Sequence, residues 1–180
     1  MNKDILFYGV PGVGKTYITR SLSSDLNLPL IELDSLREPL QQGKDISNYP
    51  FLFYGTTEAY KFFGEPTKEN IIKGLMSVKK AMESTVRQNL NNLNSKFIAE
   101  SAFLDPAYAM NYGYVILLVQ EDENKHRIQF FKNRKDTEDN NRSFVVSGLL
   151  QEYLIKESIE LDIPKFSSVD LTKIEEYIQG

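Results

Sequence analysis

Residues Gly9 to Thr16 read G-V-P-G-V-G-K-T, and no other segment narrows the possible folds as far. The apolar run Ile5 to Gly9 before it has the composition of a buried strand, and Lys15 to Leu26 after it carries apolar residues at helical spacing. Three glycines in a strand-to-helix turn leave the backbone bare and free to adopt positive φ. Bare peptide N–H groups at the start of a helix form a nest for an anion, and the positive end of the helix dipole points at the same place. The spacing is that of G-x-x-x-x-G-K-[ST], a loop that wraps the phosphates of a nucleotide. Gly9, Pro11, Gly12, Val13, Gly14, Lys15, Thr16 and Tyr17 are therefore the candidate nucleotide-binding residues. Lys15 would reach the β- and γ-phosphates, and the Thr16 hydroxyl would ligate Mg²⁺. The bland alternative is a glycine-rich turn with a solvated lysine.

The rest of the chain repeats the strand-then-helix rhythm. Leu30 to Asp34, Lys96 to Ser101, Tyr114 to Gln120 and Pro164 to Ser168 read as further strands. Arg37 to Pro50 reads mostly as loop, and Phe51 to Gly64 as one or two short helices. A long helix capped by Thr67 follows, then helices over Asp122 to Lys135, about Ser143 to Leu161, and from Asp170; Thr137 to Arg142 reads as a polar loop. Strands separated by helices, without hairpin signals, predict a parallel sheet with helices on both faces, a three-layer α/β domain. With 180 residues the chain is the size of one domain.

Composition narrows the partners. Hydrophobic residues make up 41% and charged residues 26%, which excludes general disorder. A net charge of −4 argues against nucleic acid. The absence of cysteine removes disulfides and thiolate metal sites and suits a reducing compartment. No stretch reads as a leader peptide, and the apolar run Val115 to Val119 is too short to span a bilayer. The expectation is a cytoplasmic protein without a membrane partner, monomeric or a homodimer.

A GTPase needs a D-x-x-G switch, and no aspartate has glycine three residues on. The length also argues against motor and helicase-like ATPases, leaving the small kinases. Such an enzyme needs an acid at a strand end, a site for the acceptor, and cations over the transferring phosphoryl group. Asp34 ends the second strand, with Arg37 one helical turn on. Asp34 would orient or deprotonate an acceptor hydroxyl, or help hold the metal, and Arg37 would pair with an anionic group of the acceptor; the alternative is a helix cap and a surface cation. Glu100 ends the third strand as a second acid beside metal and acceptor, and Tyr54 and the threonines at 56 and 57 border a possible acceptor pocket. Three of only six arginines, Arg127, Arg134 and Arg142, lie in one segment. Arg127 and Arg134 are seven apart, on one face of a continuous helix, where a lid over about 122–142 would carry guanidinium groups across the phosphates. His126, the only histidine, reads as a polar helix residue.

Taken in order, the phosphate loop, "DSLRE" (Asp34 to Glu38), "YGTTEAY" (Tyr54 to Tyr60), "AESAFLDP" (Ala99 to Pro106), "KHRIQFFKNR" (Lys125 to Arg134) and "YLIKESIELDIPKFSSVD" (Tyr153 to Asp170) resemble the kinase domain of the 2-phosphoglycerate kinase family. The resemblance implies the nucleoside-monophosphate-kinase type of fold, with five parallel strands in the order 2-3-1-4-5. It implies ATP and Mg²⁺ as donor and a small anionic acceptor. Asp34 and Arg37 match the family's block after the second strand, and Arg127 and Arg134 its lid. Ser101 stands where that family tends to have glycine, and Phe103 where it has histidine. The leading expectation is transfer of the γ-phosphoryl group of ATP to a small hydroxyl-bearing metabolite. A non-catalytic ATP-binding module acting on a protein partner, or a kinase of a nucleotide, a nucleotide sugar or a nucleic-acid end, are the alternatives.

Overall fold

The computed structural model describes residues 3–180. Its five strands are β1 (Asp4–Tyr8), β2 (Leu30–Glu32), β3 (Ile98–Ser101), β4 (Gly113–Val119) and β5 (Lys165–Ser167), all parallel, in the order β2-β3-β1-β4-β5. That is the order the family resemblance implied. β1 lies at the centre, and Ile5, Leu6, Phe7 and Tyr8 are buried on both its faces, which is why its sequence runs apolar without alternation. Register brings the strand ends level: Glu32 pairs with Glu100, and Tyr8, just before the phosphate loop, pairs with Ser101. The carboxyl ends of β1, β2 and β3 thus open onto one crevice, where ligands of open α/β sheets bind.

The helices are α1 (Lys15–Leu26), α2 (Arg37–Gln41), α3 (Pro50–Phe53), α4 (Lys68–Asn91), α5 (Pro106–Ala109), α6 (Glu123–Phe131), α7 (Glu138–Glu160) and α8 (Leu171–Gln179), with 3₁₀ turns at Leu33–Leu36 and Ala59–Phe62. α4 starts as expected: the Thr67 side chain accepts a hydrogen bond from the Asn70 N–H. Its stripe of Ile71, Leu75, Val78, Met82, Val86 and Leu90 is buried in the core.

The segment from Arg37 to Pro50 is mostly loop, as expected, with one short helix at Arg37–Gln41. Two expectations need correction. Asp34 does not end a strand; β2 stops at Glu32 and Asp34 sits in the following 3₁₀ turn. Residues 137–142 are the cap and start of α7 rather than a polar loop. Thr137 caps it by accepting from the Asn140 N–H, and Glu138 and Asp139 lie favourably at the positive end of the dipole. Polarity there is that of a helix start.

Candidate active site

The loop between β1 and α1 has the conformation its glycines allow. Gly12 and Gly14 hold φ of 85° and 92°, in the left-handed region that other residues enter at a cost. Close packing adds a second demand at both positions. A Cβ on Gly14 would lie 2.6 Å from the Ser168 Cβ, and one on Gly12 would lie 2.9 Å from the Phe130 Cα. Val13 turns its side chain into the core. The Lys15 ammonium donates to the carbonyls of Gly9 (2.9 Å) and Val10 (3.2 Å) and is only 8% exposed. Burial pulls Lys15 below the ordinary lysine range; Glu100 and Asp34 oppose the shift and Arg134 adds to it.

The acids divide between two positions. The Thr16 hydroxyl donates to Glu100 Oε1 at 2.6 Å, so Glu100, not Asp34, stands against the candidate metal-binding hydroxyl. Burial raises Glu100 above the usual carboxylate range, against the pull of Lys15 and the Thr16 bond, with Asp34 and Glu32 adding to the rise. Asp34 is held through Oδ1, which accepts from the Ser101 hydroxyl (2.7 Å) and the Ala102 N–H (3.3 Å). Its Oδ2 has no protein hydrogen bond among the described residues.

Two cavities adjoin here. The first, about 500 Å³, runs along the loop past Thr16 and Tyr17 to Glu100, Gln129, Lys132 and Ser168. The second, about 320 Å³, is bounded by Arg37, residues 55–58, Phe103, Asn140 and Ser143. Pro11, Asp34 and Arg134 line both. Arg37 donates to the Tyr54 carbonyl at 2.5 Å and stacks over the Phe103 ring at 5.1 Å. Burial lowers its pKa, with Asp34 and Glu58 opposing. Tyr54 thus contributes its carbonyl as an anchor for Arg37, and its side chain does not line the second cavity.

The arginines differ in reach, although Arg127 and Arg134 share the lining of a further surface cavity with Ile128 and Phe131. α6 ends at Phe131, so Arg127 and Arg134 do not share one helical face. Arg134 lies in the turn beyond, donates to the Phe130 carbonyl (2.7 Å), stacks 4.2 Å over the Phe130 ring and reaches both cavities. Arg127 points elsewhere, bonding Asn141 Oδ1 at 2.6 Å and stacking on Phe131 at 4.7 Å. Arg142 pairs with Glu138 on the surface at 3.2 Å. Neither of these two lines the two joined cavities. α6 also packs directly on the phosphate loop through Phe130 and His126, which places Gln129 and the turn after the helix, with Arg134, over the crevice.

Sequence reasoning passed over several contributors. Ser101, met only as a departure from a family pattern, orients Asp34 and also accepts from the Phe103 N–H at 2.9 Å. Ser168 backs Gly14, and Gln129 and Lys132 wall the first cavity. A lone serine at or just past a strand's end carries no pattern that would mark it.

Residues 5–153 match the model of the ATPase family associated with various cellular activities (AAA). The chain belongs to that family. The family found is not the 2-phosphoglycerate kinase family. No curated protein matches the chain. Among solved structures, the chain is similar to a shikimate kinase from Acinetobacter baumannii in complex with shikimate (16% identity, 98% of this chain and 93% of that one, TM-score 0.60). It is similar as well to a shikimate kinase from Bacteroides thetaiotaomicron (13% identity, 99% of each chain, TM-score 0.56). A deoxyadenosine kinase from M. mycoides with bound dATP matches at 14% identity over 98% of this chain and 100% of that one, TM-score 0.55. At such identities the likeness is one of fold, and this AAA-family chain has the kinase-like form of the phosphate-loop fold. Among the described residues no helix is long and apolar enough to cross a membrane.

Proposed function

We propose that this chain is an ATP-dependent kinase that transfers the γ-phosphoryl group to a small, anionic, hydroxyl-bearing acceptor. The observation that carries the reading is the pair of cavities meeting at Asp34 and Arg134. A nucleotide laid along the glycine loop would end its phosphate chain where an acceptor in the second cavity begins. The second space, about 320 Å³, is large enough for an acceptor bigger than water.

The residues divide the work. Loop amides and the start of α1 bind the phosphates, and Lys15 exchanges its two loop carbonyls for phosphate oxygens. The Oδ2 atom of Asp34 accepts the acceptor's hydroxyl hydrogen while Ser101 and Ala102 hold the carboxylate still. Arg134 faces the developing negative charge at the junction, and Arg37, fixed by Tyr54 and Phe103, meets the anionic group of the acceptor. Thr16 Oγ1 and Glu100 Oε1, 2.6 Å apart, form an oxygen-only donor pair, which fits Mg²⁺ completed by phosphate oxygens and water. No cluster of three or more His, Cys, Asp or Glu among the described residues offers a cage independent of the nucleotide. Bound there, Mg²⁺ would neutralise phosphate charge. The lid shrinks from the whole 122–142 segment to the turn bearing Arg134.

The test is acceptor-stimulated ADP release across hydroxy acids, phosphorylated acids including 2-phosphoglycerate, sugars, nucleosides and nucleotides. Stimulation by a small hydroxy acid supports the reading. ATP binding with no stimulation by any member of the panel contradicts it.

A further inference from the structure

His126 is the chain's single histidine and is 3% exposed. Its Nε2 lies 2.9 Å from the carbonyl oxygen of Pro11, in the middle of the phosphate loop. A carbonyl only accepts, so Nε2 carries the hydrogen. Ser147 of α7 reaches the same oxygen at 3.4 Å. The imidazole packs against Phe144 (5.2 Å between ring centres, tilted) and edge-on to Phe130 (6.3 Å). Phe130, one helical turn on, presses its backbone against Gly12, and its carbonyl and ring hold Arg134. A continuous run of contacts therefore leads from Pro11 through His126 and Phe130 to the arginine at the junction of the cavities.

We infer that His126 is a positioning residue, whose Nε2–H bond to the Pro11 carbonyl sets the curvature of the phosphate loop and ties Arg134 to it. The peptide whose carbonyl is held also carries the Gly12 N–H, so fixing the oxygen fixes the direction of that amide, and Gly12 lines the nucleotide cavity. α6 lies across the loop at a fixed height, and Arg134, one turn past Phe130, inherits that height. The inference rests on the kinase reading for the role of Arg134, and on nucleotide binding alone for the role of the loop.

The test crosses the donor with the ring. His126→Phe keeps an aromatic ring against Phe130 and Phe144 and removes the donor; His126→Gln keeps an N–H donor and removes the ring. Calorimetry with ATP and Mg²⁺ reads the dissociation constant directly, without turnover. The expected result is about tenfold weaker binding in His126→Phe and near wild-type binding in His126→Gln. In turnover, His126→Phe and Arg134→Gln should be less than additive, as members of one contact chain are. Equal affinity in wild type and both variants, or weaker binding in His126→Gln alone, overturns the inference and leaves the kinase reading intact. A wild type that binds no ATP overturns both. Should His126→Phe not fold, the wild type still decides by nuclear magnetic resonance of the imidazole. A slowly exchanging Nε2–H whose signal moves on adding ADP is expected, and a fast-exchanging or unmoved one refutes the inference.

Discussion

Replacing Asp34 by Asn tests the assigned chemistry with the least disturbance of structure. Asp34 spends one oxygen, Oδ1, on Ser101 (2.7 Å) and Ala102 (3.3 Å). An asparagine can place its amide oxygen in the same position and keep both bonds, so the turn after β2 is preserved. The atom exchanged for NH₂ is Oδ2, the one offered to the acceptor hydroxyl. What is lost is the acceptor of a proton, a contribution of about 10²–10⁴ in rate, or about 3–5 kcal/mol in the barrier. ATP affinity should stay within about twofold, as for a substitution that leaves the phosphate contacts alone, because Glu100 rather than Asp34 stands against Thr16. The assay pairs steady-state ADP release with equilibrium binding of ATP and Mg²⁺. Turnover within tenfold of wild type would refute a proton-accepting role, and a collapse of ATP binding would show that Asp34 holds the metal. Ser101→Ala, which removes only one of the two bonds, should cost less than Asp34→Asn.

The remaining predictions separate residues that sequence spacing had grouped. Arg134→Ala should lower kcat by about 10³-fold or more, while Arg127→Ala, facing Asn141 and Phe131 outside both cavities, should change it by roughly twofold at most; comparable losses in the two variants would contradict the placement. Glu100→Gln should abolish the gain in ATP affinity on adding Mg²⁺ and stabilise the free protein at neutral pH. The folded chain keeps the Glu100 proton to a higher pH than the unfolded chain, whose ordinary value is 4.5. Its contribution is therefore complete below about 4.5 and is lost as pH rises through the folded value. Urea titrations should show the stability difference between Glu100→Gln and wild type widening upward from that pH; a constant difference would be the contrary result. Thr67→Ala removes the cap of α4 and should cost about 1 kcal/mol, a drop of about 2–4 °C in Tm, with no change in ATP affinity.

The legible parts of this chain were those in which one physical demand dictates several residues at once. The phosphate loop needs bare amides, positive φ and a cation in sequence, and Gly12, Gly14 and Lys15 satisfy all three within four positions. The buried strand β1 likewise announces itself by an unbroken apolar run, and the long buried face of α4 by its period. Illegible were the contacts made across large gaps in sequence by single residues: Ser101 to Asp34, 67 positions apart, and His126 to Pro11, 115 apart. Any helix can carry a histidine, and only the packing of α6 on the loop gives this one a target. The lid arginines misled because a spacing of seven implies one face only while the helix lasts, and α6 ends at Phe131. The run from Thr137 to Arg142 looked like loop because a helix start and a loop share the same polar residues; the bond from the Asn140 N–H to Thr137 decides which it is.

The most direct test follows the phosphorus itself. The protein is incubated with ATP labelled in the γ-phosphoryl group, Mg²⁺ and the acceptor panel, and the products are separated. The account predicts label on a small organic phosphate, formed in step with ADP and absent with Lys15→Ala. Label found only as inorganic phosphate, at a rate indifferent to every acceptor, would make this chain a hydrolase and contradict the claim that its two cavities serve two substrates.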